Sequence, residues 1–236
     1  MGNFEKKIDT FLEYFIDFGA YREVLEGLQN TLIIAVMGLI IGTLIGTVIA
    51  AVRVMPKYRI MPRILDKICG GYVSFFRGTP IGVQLLLFYY VLFPAMGARI
   101  DSISVSILVF GLNSGAYISE IMRGGILSVD PGQMEGGRSV GLSYGTTMMK
   151  IVIPQAVKNI LPTMGNEFIA LVKETSVVSF VGAKDLYLAF QSIGSGTYEY
   201  MVPYLAMAII YIVIVCLITL GIKIMERRLR KSDRGR

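Results

Sequence analysis

The chain has 236 residues, of which 54% are hydrophobic and 17% charged, with a mean hydropathy of +0.62 and a net charge of +6. Soluble domains are usually about a quarter charged, so this composition excludes a soluble enzyme, a disordered chain and a secreted disulfide scaffold. It indicates an integral membrane protein. Since about 20 apolar residues cross a bilayer once, the length predicts five or six spans. The chain contains no histidine, the commonest metal ligand, and no metal site is predicted.

Residues 1–26 are predicted to form an amphipathic N-terminal segment rather than a signal peptide, because they carry six acidic residues and no long apolar centre. Phe4, Ile8, Phe11 and Phe15 recur at helical spacing. This pattern indicates a helix that lies along the membrane surface or packs on the spans. A simple lead-in helix is the plainer interpretation.

Apolar stretches predict five transmembrane helices, at about residues 28–52, 68–95, 104–122, 159–181 and 201–225. Gly38, Gly42 and Gly46 repeat every four residues in the first span, a pattern that lets another helix approach closely. The segment between the last two spans, residues 182–200, is rich in small and polar residues and is predicted to be a loop. A basic tail, residues 227–236, closes the chain.

Lys and Arg are distributed unevenly between the two predicted sides of the membrane. Of 23 such residues, 16 fall in segment 53–67, segment 123–158 and the tail from Lys223, and five fall on the opposite side. The positive-inside rule therefore predicts a multi-pass protein of the bacterial cytoplasmic (inner) membrane, with the N-terminus outside and the C-terminus in the cytoplasm. On this interpretation the net charge serves topology and contact with membrane lipid, and no nucleic acid partner is expected.

Segment 123–158 is an unusually long cytoplasmic connection for a chain built of spans, and long ordered loops are usually functional. Asp130-Pro131-Gly132 predicts a turn that starts a short polar helix at Gln133–Val140, and Gly141 breaks it. An amphipathic pattern resumes over Leu142–Ala156, interrupted by Pro154. A short helix presented in this way suits insertion into a groove on a partner.

Several motifs in this order resemble those of a known family. Glu135-Gly136-Gly137, then Gly141, then Ile151-Val152-Ile153-Pro154 are similar to the EAA loop of ABC importer permeases, Glu-Ala-Ala, three residues, Gly, nine residues, Ile-x-Leu-Pro. Further signatures are Phe76–Pro80, Ser119–Ile126, Leu161–Ile169 and Lys173–Ser176. Together they resemble the polar amino acid ABC transporter permeases, the histidine/glutamine/arginine/cystine group. The resemblance covers about residues 27–226 and implies an all-α type I importer transmembrane domain with five transmembrane helices.

The resemblance implies that the short helix docks in a cleft of a cytoplasmic ATPase, of which there would be two copies. The coupling residues would be Glu135, Gly136, Gly137, Gly141 and Pro154. Glu135 as a solvated loop carboxylate is the alternative. Two glycines in place of two alanines cost a helix about 2 kcal/mol, which suggests a helix that forms only when docked.

One polar face within the fourth span is the main candidate for substrate binding. It carries Thr163, Asn166, Glu167, Lys173 and Glu174 at steps of three and four. A carboxylate in an apolar span is costly unless paired or solvated, which makes Glu167 a functional-site hypothesis. It would accept hydrogen bonds from a cationic group, while Asn166 and Thr163 would supply neutral ones. For Lys173 and Glu174, a structural network with neighbouring helices is an equal alternative.

Arg77 stands just before Thr79-Pro80, in a stretch predicted to be a broken helix because a residue before proline avoids the helical conformation. Its guanidinium could bind a substrate carboxylate with two hydrogen bonds. Alternatives are snorkelling to the headgroups or pairing with Glu167 or Glu120, and a structural role is slightly favoured.

The chain has no G-x-x-x-x-G-K-[ST] phosphate loop, so it is predicted to be a transport subunit and not an enzyme, without a cofactor, and ATP would be bound by the partner subunit. The resemblance also implies a second permease subunit, identical or paralogous, and an extracytoplasmic amino-acid-binding protein at residues 94–102 and 182–200. The alternatives are a stand-alone secondary amino acid transporter or channel and, more remotely, an intramembrane enzyme. No clear inverted repeat supports the first of these.

Overall fold

The structure, a computed structural model, describes residues 2–231, and helices dominate this range. The α-helices are α1 (Gly2–Leu12), α2 (Tyr21–Val54), α3 (Ile60–Gly78), α4 (Ile81–Leu86), α5 (Phe93–Ala95), α6 (Ser102–Leu127), α7 (Pro131–Ser139), α8 (Tyr144–Thr147), α9 (Ile153–Glu174), α10 (Leu186–Thr197) and α11 (Met201–Lys231). Turns of π-helix occupy Glu13–Asp17, Leu87–Leu92 and Met148–Val152, and a 3₁₀ helix occupies Thr175–Val181.

Between residues 2 and 231, three helices are long and apolar enough to cross a membrane, at Tyr21–Val54, Ser102–Leu127 and Met201–Leu229. The predicted second span is a bent pair, Ile60–Gly78 and Ile81–Ala95, whose two parts meet at 104°. The predicted fourth span corresponds to α9, which is not among the apolar helices because charged and amide side chains interrupt it. The bend between the two parts of the second span confirms the prediction of a broken helix after Arg77.

The packing of α2 on α6 depends on the glycine repeat found in the sequence. A Cβ atom on Gly42 would lie 2.8 Å from Ser114 Cβ, and one on Gly46 would lie 2.8 Å from Ile118 Cγ2. Real Cβ atoms do not approach so closely, so glycine at these positions lets the two backbones come together. The predicted close helix contact is confirmed. It sets the position of α6 relative to α2, and α6 carries part of the site described below.

The N-terminal segment packs on the spans rather than standing apart. Phe11 and Phe15 lie against a buried cluster formed largely by α10, and Lys7 Nζ is 2.9 Å from Glu199 Oε2. Gly19, with φ of +76°, separates this segment from α2, which begins at Tyr21. The first span therefore starts earlier than predicted, and residues 21–26 belong to it.

The segment 182–200, predicted to be a loop, contains helix α10. Asp185 caps this helix by accepting hydrogen bonds from the backbone N–H groups of Leu188 at 2.9 Å and Tyr187 at 3.1 Å. Leu186, Ala189, Phe190 and Ile193, which recur at helical spacing, supply the buried face. The prediction was wrong because glycine and serine are common in loops. In this segment the cap at Asp185 and the burial of the apolar residues stabilise a helix.

Segment 123–158 also differs from its predicted boundaries. Helix α6 continues to Leu127, and the stretch after Gly141 is not a separate amphipathic helix. Helix α8, the π-helical turn and α9 follow one another without interruption from Tyr144 to Glu174. Pro154 lacks an N–H donor, and the wider π-helical turn directly before it accommodates the missing hydrogen bond.

Candidate functional site

The break between α3 and α4 is fixed by a buried amide. Gln84 is only 1% exposed, and its Nε2 donates to Phe76 O at 2.9 Å, Thr79 O at 2.9 Å and Thr79 Oγ1 at 2.8 Å. Asn113 of α6 joins this network by donating to Phe76 O at 3.2 Å and to Gln84 Oε1 at 3.0 Å. These bonds satisfy carbonyl groups that a broken helix would otherwise leave unpaired, and they hold the break against α6.

Arg77 lines a cleft at the break between α3 and α4. The cleft has a volume of about 450 Å³ and is lined by Arg77, Gly78, Thr79, Pro80, Ile81, Asn113, Tyr117 and Glu174. The guanidinium carbon of Arg77 lies 5.2 Å from the centre of the Tyr117 ring, a distance typical of a cation–π contact. No carboxylate among the described residues forms a salt bridge with Arg77, which lines the cleft.

Glu167 lies on α9, two turns before Glu174, and is half-buried. The charges of Arg77 and Glu174 act on its carboxylate, and the hydroxyl of Ser114 on α6 lies near it. Ser114 is fully buried, and its Oγ has no hydrogen bond of normal geometry. Arg77 and Glu174 therefore line one cleft, and Glu167 lies on the same helix as Glu174 with the Ser114 hydroxyl of α6 near it.

The other predicted substrate residues lie elsewhere on α9. Thr163 lines a separate cleft of about 320 Å³ with Glu120 and Asn159. Lys173 lines a third cavity, of about 500 Å³, with Tyr187 and residues of α11. Asn166 is exposed and lines none of these three cavities. The structure therefore places Arg77 and Glu174 in one cleft, with Glu167 two helical turns earlier on α9, and it places Thr163 and Lys173 in other cavities.

Helix α7, the predicted coupling helix, has well-formed ends. Asp130 Oδ1 accepts a hydrogen bond from Gly132 N at 2.8 Å at the start. At the end, Gly141 adopts a φ of +87°, while Leu142 N donates to Gly137 O at 3.1 Å and Gly141 N donates to Arg138 O at 3.1 Å. This is a Schellman motif, which favours glycine at its left-handed position.

The two glycines that replace the alanines of the EAA pattern differ in their surroundings. A Cβ atom on Gly136 would meet nothing within 4 Å, but one on Gly137 would clash with Thr147 of α8. Glu135 is exposed and forms no ion pair with another described residue. Helix α7 is present in the isolated chain, contrary to the suggestion that it forms only when docked, because its caps and its contact with α8 offset the low helix propensity of glycine.

An ionic cluster ties three helices together at the end of the spans nearest α7. Arg53 of α2 pairs with Glu120 of α6, which also accepts from Arg123 Nη2 at 2.8 Å. Asp66 of α3 lies 3.8 Å from Arg53 Nε and 2.6 Å from Lys57 Nζ. Glu120 is therefore occupied by two arginines and is not the partner of Arg77.

Comparison with known proteins decides the family. Residues 42–231 match the family described as the binding-protein-dependent transport system inner membrane component. The chain belongs to this family. It is accordingly a membrane permease subunit of a binding-protein-dependent transport system, and the family's ATPase activity lies in a separate subunit.

Named members of this permease family align over most of the chain. The arginine transport system permease ArtQ of Bacillus subtilis is 38% identical over 210 residues, which cover 89% of this chain and 94% of ArtQ. The putative glutamine transport system permease GlnP of Rickettsia felis is 36% identical over 220 residues, covering 92% and 98%. The L-cystine permease TcyB of Bacillus subtilis is 39% identical over 168 residues, covering 71% of each chain.

Solved structures of ABC permeases share the fold. A chain from the crystal structure of an amino acid ABC transporter with histidines superimposes with a TM-score of 0.83 at 36% identity, covering 91% of this chain and 98% of that one. A chain of the inward-facing methionine transporter MetNI gives a TM-score of 0.73 at 19% identity, covering 87% and 95%. The predicted all-α architecture of a type I importer transmembrane domain is confirmed.

Sequence reasoning missed several residues of the permease cleft. Gln84 and Asn113 are neutral amides in apolar stretches, and a polar side chain that must be satisfied inside a span was the available signal. Ser114 and Tyr117 gave no comparable signal, because serine packs in spans as a small residue and tyrosine is common near membrane interfaces. Their roles follow only from how α3, α6 and α9 meet.

Proposed function

We propose that the chain forms the alternating-access pathway for a polar amino acid in an ATP-driven importer. The observation that carries this proposal is the cleft at the helix break, where Arg77 and Glu174 line the same 450 Å³ volume, with Glu167 two turns earlier on α9. The names of ArtQ, GlnP and TcyB, which transport different polar amino acids, support the same class of substrate.

Each charged group in the cleft has a partner on a zwitterionic amino acid. Arg77 would bind the α-carboxylate with two parallel hydrogen bonds, a geometry that guanidinium groups favour. Glu167 would accept hydrogen bonds from the ammonium group. Glu174 would serve a second cationic group when the substrate carries one. Thr163 and Asn166 would contact the substrate only further along the pathway, and Lys173 would have a structural role.

Helix α7 is proposed as the element that couples this pathway to ATP hydrolysis. Glu135 is exposed on α7, where it would pair with basic groups in a cleft of the ATPase subunit, and Gly141 would maintain the tight turn that follows. Two copies of the ATPase would serve two permease subunits, which are either identical or paralogous. The chain itself would neither bind ATP nor act as an enzyme.

The orientation follows from the charge distribution. We place the N-terminus outside the bacterial inner membrane and the C-terminus in the cytoplasm. The extracytoplasmic binding protein would then meet the segments 94–102 and 182–200. Because the family works in binding-protein-dependent systems, the alternative of a stand-alone secondary transporter or channel loses its main support.

The substrate role of Glu167 is tested by uptake in reconstituted vesicles that contain the permease and its ATPase. We expect Glu167→Gln to lower amino acid uptake by about tenfold or more, since a hydrogen bond to a charged group contributes about 1.5–3 kcal/mol. Glu226→Gln, the same change on α11 outside the cleft, is the matched control. Unchanged uptake by Glu167→Gln, with the ATPase still bound, would remove Glu167 from the substrate site.

The coupling role is tested by deletion of residues 129–142 and by the single change Glu135→Ala. Both should release the ATPase during purification in mild detergent, while the membrane fraction of the permease is unchanged. A permease that retains its ATPase without this segment would contradict the proposal. A permease that transports amino acids without any ATPase would favour the stand-alone carrier.

A further inference from the structure

Another large cavity lies away from the cleft that Arg77 and Glu174 line. It is bounded by α2, the end of α6 and the helical run that starts at Tyr144. Its volume is about 500 Å³, and Ala51, Met122, Ile126, Met148 and Met164 are among its lining residues. We call it the methionine groove. The three polar side chains that line it are already satisfied: Thr43 and Thr47 donate to carbonyl groups one turn earlier, and Tyr144 Oη donates to Val54 O at 3.2 Å.

This chemistry excludes the transported substrate as an occupant. A polar amino acid placed in the methionine groove would lose its hydrogen bonds to water without gaining new ones, which costs several kcal/mol. An apolar ligand has no such penalty. Methionine side chains also adapt to flexible apolar ligands because they are unbranched and polarizable. The groove therefore suits a hydrocarbon chain.

The dimensions of the groove relate it to one leaflet of the bilayer. Its wall on α2 extends from Thr43 to Met55, which at 1.5 Å per residue is about 18 Å. The hydrocarbon core of a bilayer is about 30 Å thick, so one leaflet contributes about 15 Å. A groove that follows a membrane-spanning helix over this length matches a single acyl chain.

The end of the groove at Met55 is basic and aromatic. Arg59 is four residues after the lining residue Met55 and Lys150 is next to the lining residue Met149, and both are exposed and form no salt bridge with another described residue. Tyr58, three residues after Met55, is 91% exposed, and Tyr144 lines the groove. Cations and tyrosines at this depth are typical of the headgroup region, where the cations attract anionic lipids.

We propose that the methionine groove is a binding site for an anionic phospholipid of the cytoplasmic leaflet. One acyl chain would lie along α2 between Thr43 and Met55, and Arg59 and Lys150 would hold the phosphate-bearing headgroup. Because the groove is bounded by Tyr144, Met148 and Met149, the lipid would contact the same helical run that packs on α7. The proposal stands independently of the substrate assigned to the cleft.

The test is native mass spectrometry of the purified transporter, permease with its ATPase, titrated with dioleoyl phosphatidylglycerol or dioleoyl phosphatidylcholine. Ala51→Phe fills the groove from α2, and we expect it to weaken phosphatidylglycerol binding by about tenfold, the equivalent of about two buried methylenes. Gly145→Leu fills it from α8, where an added Cβ meets nothing within 4 Å. Val48→Phe, an exposed position of α2 outside the groove, is the matched control.

Equal lipid binding by Ala51→Phe, Gly145→Leu and Val48→Phe would overturn the proposal. A change in the number of permease copies in the complex would also overturn it, because the groove would then be a protein interface. For the headgroup, Arg59→Gln and Lys150→Gln should each reduce the preference for phosphatidylglycerol over phosphatidylcholine about fivefold, whereas Lys67→Gln should not. An unchanged preference in the first two variants would contradict an anionic headgroup.

Discussion

Gly137 of α7 lies so close to Thr147 of α8 that a Cβ atom on Gly137 would stand 2.5 Å from Thr147 Cγ2. Thr147 is fully buried, and its Oγ1 donates to Ser143 O at 3.0 Å, so it cannot easily move away. The contact explains why glycine occupies a position where the EAA pattern has alanine. It also makes α7 and α8 a single packed unit.

The two glycines of α7 should therefore respond in opposite ways to the same substitution. Gly136→Ala should stabilise α7 by about 1 kcal/mol, the usual difference in helix propensity, and preserve the bound ATPase. Gly137→Ala should displace α7 and weaken ATPase binding. The measurement is the fraction of permease that retains ATPase on a sizing column. Adding Thr147→Ser, which removes the clashing methyl group, should partly restore binding to Gly137→Ala, and a failure to do so would argue against this contact.

Gln84 should be among the most sensitive neutral residues in the spans. Gln84→Leu leaves the carbonyl groups of Phe76 and Thr79 with fewer partners in a buried site, which costs about 1–3 kcal/mol for each unsatisfied group. We expect a lower thermal midpoint in detergent together with reduced uptake, since the break that positions Arg77 would loosen. Gln155→Leu removes hydrogen bonds at an exposed position and should have little effect. Similar midpoints for the two variants would show that Gln84 does not hold the break.

The pair of Arg53 and Glu120 should contribute measurably to stability. Both side chains are about 20% exposed, and a hydrogen bond to a charged group is worth about 1.5–3 kcal/mol. A double-mutant cycle with Arg53→Gln and Glu120→Gln, followed by thermal unfolding, should give a coupling energy of about 2 kcal/mol. The pair of Lys184 and Glu26, which is 65% and 52% exposed at 3.5 Å, is the control and should couple by less than about 1 kcal/mol. Equal coupling energies would contradict the distinction.

Asp185 predicts a dependence of stability on pH. Burial raises the pKa of its carboxyl from 3.8 to about 6, so the folded chain binds its proton more tightly than the unfolded chain. The resulting contribution to stability is fully present below about pH 4 and is lost as the pH rises through about 6. Asp185→Asn keeps a capping oxygen and should flatten the profile of thermal midpoint between pH 4 and 6. A variant with the same slope as the parent would exclude Asp185 as its source.

The architecture could be predicted from the sequence because apolar runs and charge asymmetry are strong signals in membrane proteins. The residues at which the helices begin and end could not be predicted in this way. Helix α2 extends towards the N-terminus as far as Tyr21 through polar residues, because this part of the helix packs on α10. The run from Tyr144 to Glu174 was expected to break at Pro154, but the π-helical turn before this proline keeps the helix continuous.

The candidate site was predicted in part, for a geometric reason. Glu167 and Arg77 stood out as charges within apolar stretches, and both lie where α3, α6 and α9 meet. Steps of three and four placed Lys173 on the same face as Glu174, yet neighbouring residues on a helix point about 100° apart. Lys173 therefore faces α11 while Glu174 faces the break. The cavity that each polar residue of α9 lines depends on the arrangement of the surrounding helices, which the spacing of residues along α9 does not predict.

The unbroken helical run from Tyr144 to Glu174 has a mechanical consequence. Its 31 residues form a rod about 46 Å long, with the contact to α7 at one end and Glu167 and Glu174 towards the other. Such a rod would act as a lever: a tilt at Thr147 would sweep the carboxylates through an arc, while Gln84 and Asn113 hold the backbone beside Arg77 against α6. The separation between opposite charges in the cleft would then be a direct readout of how far the lever has turned.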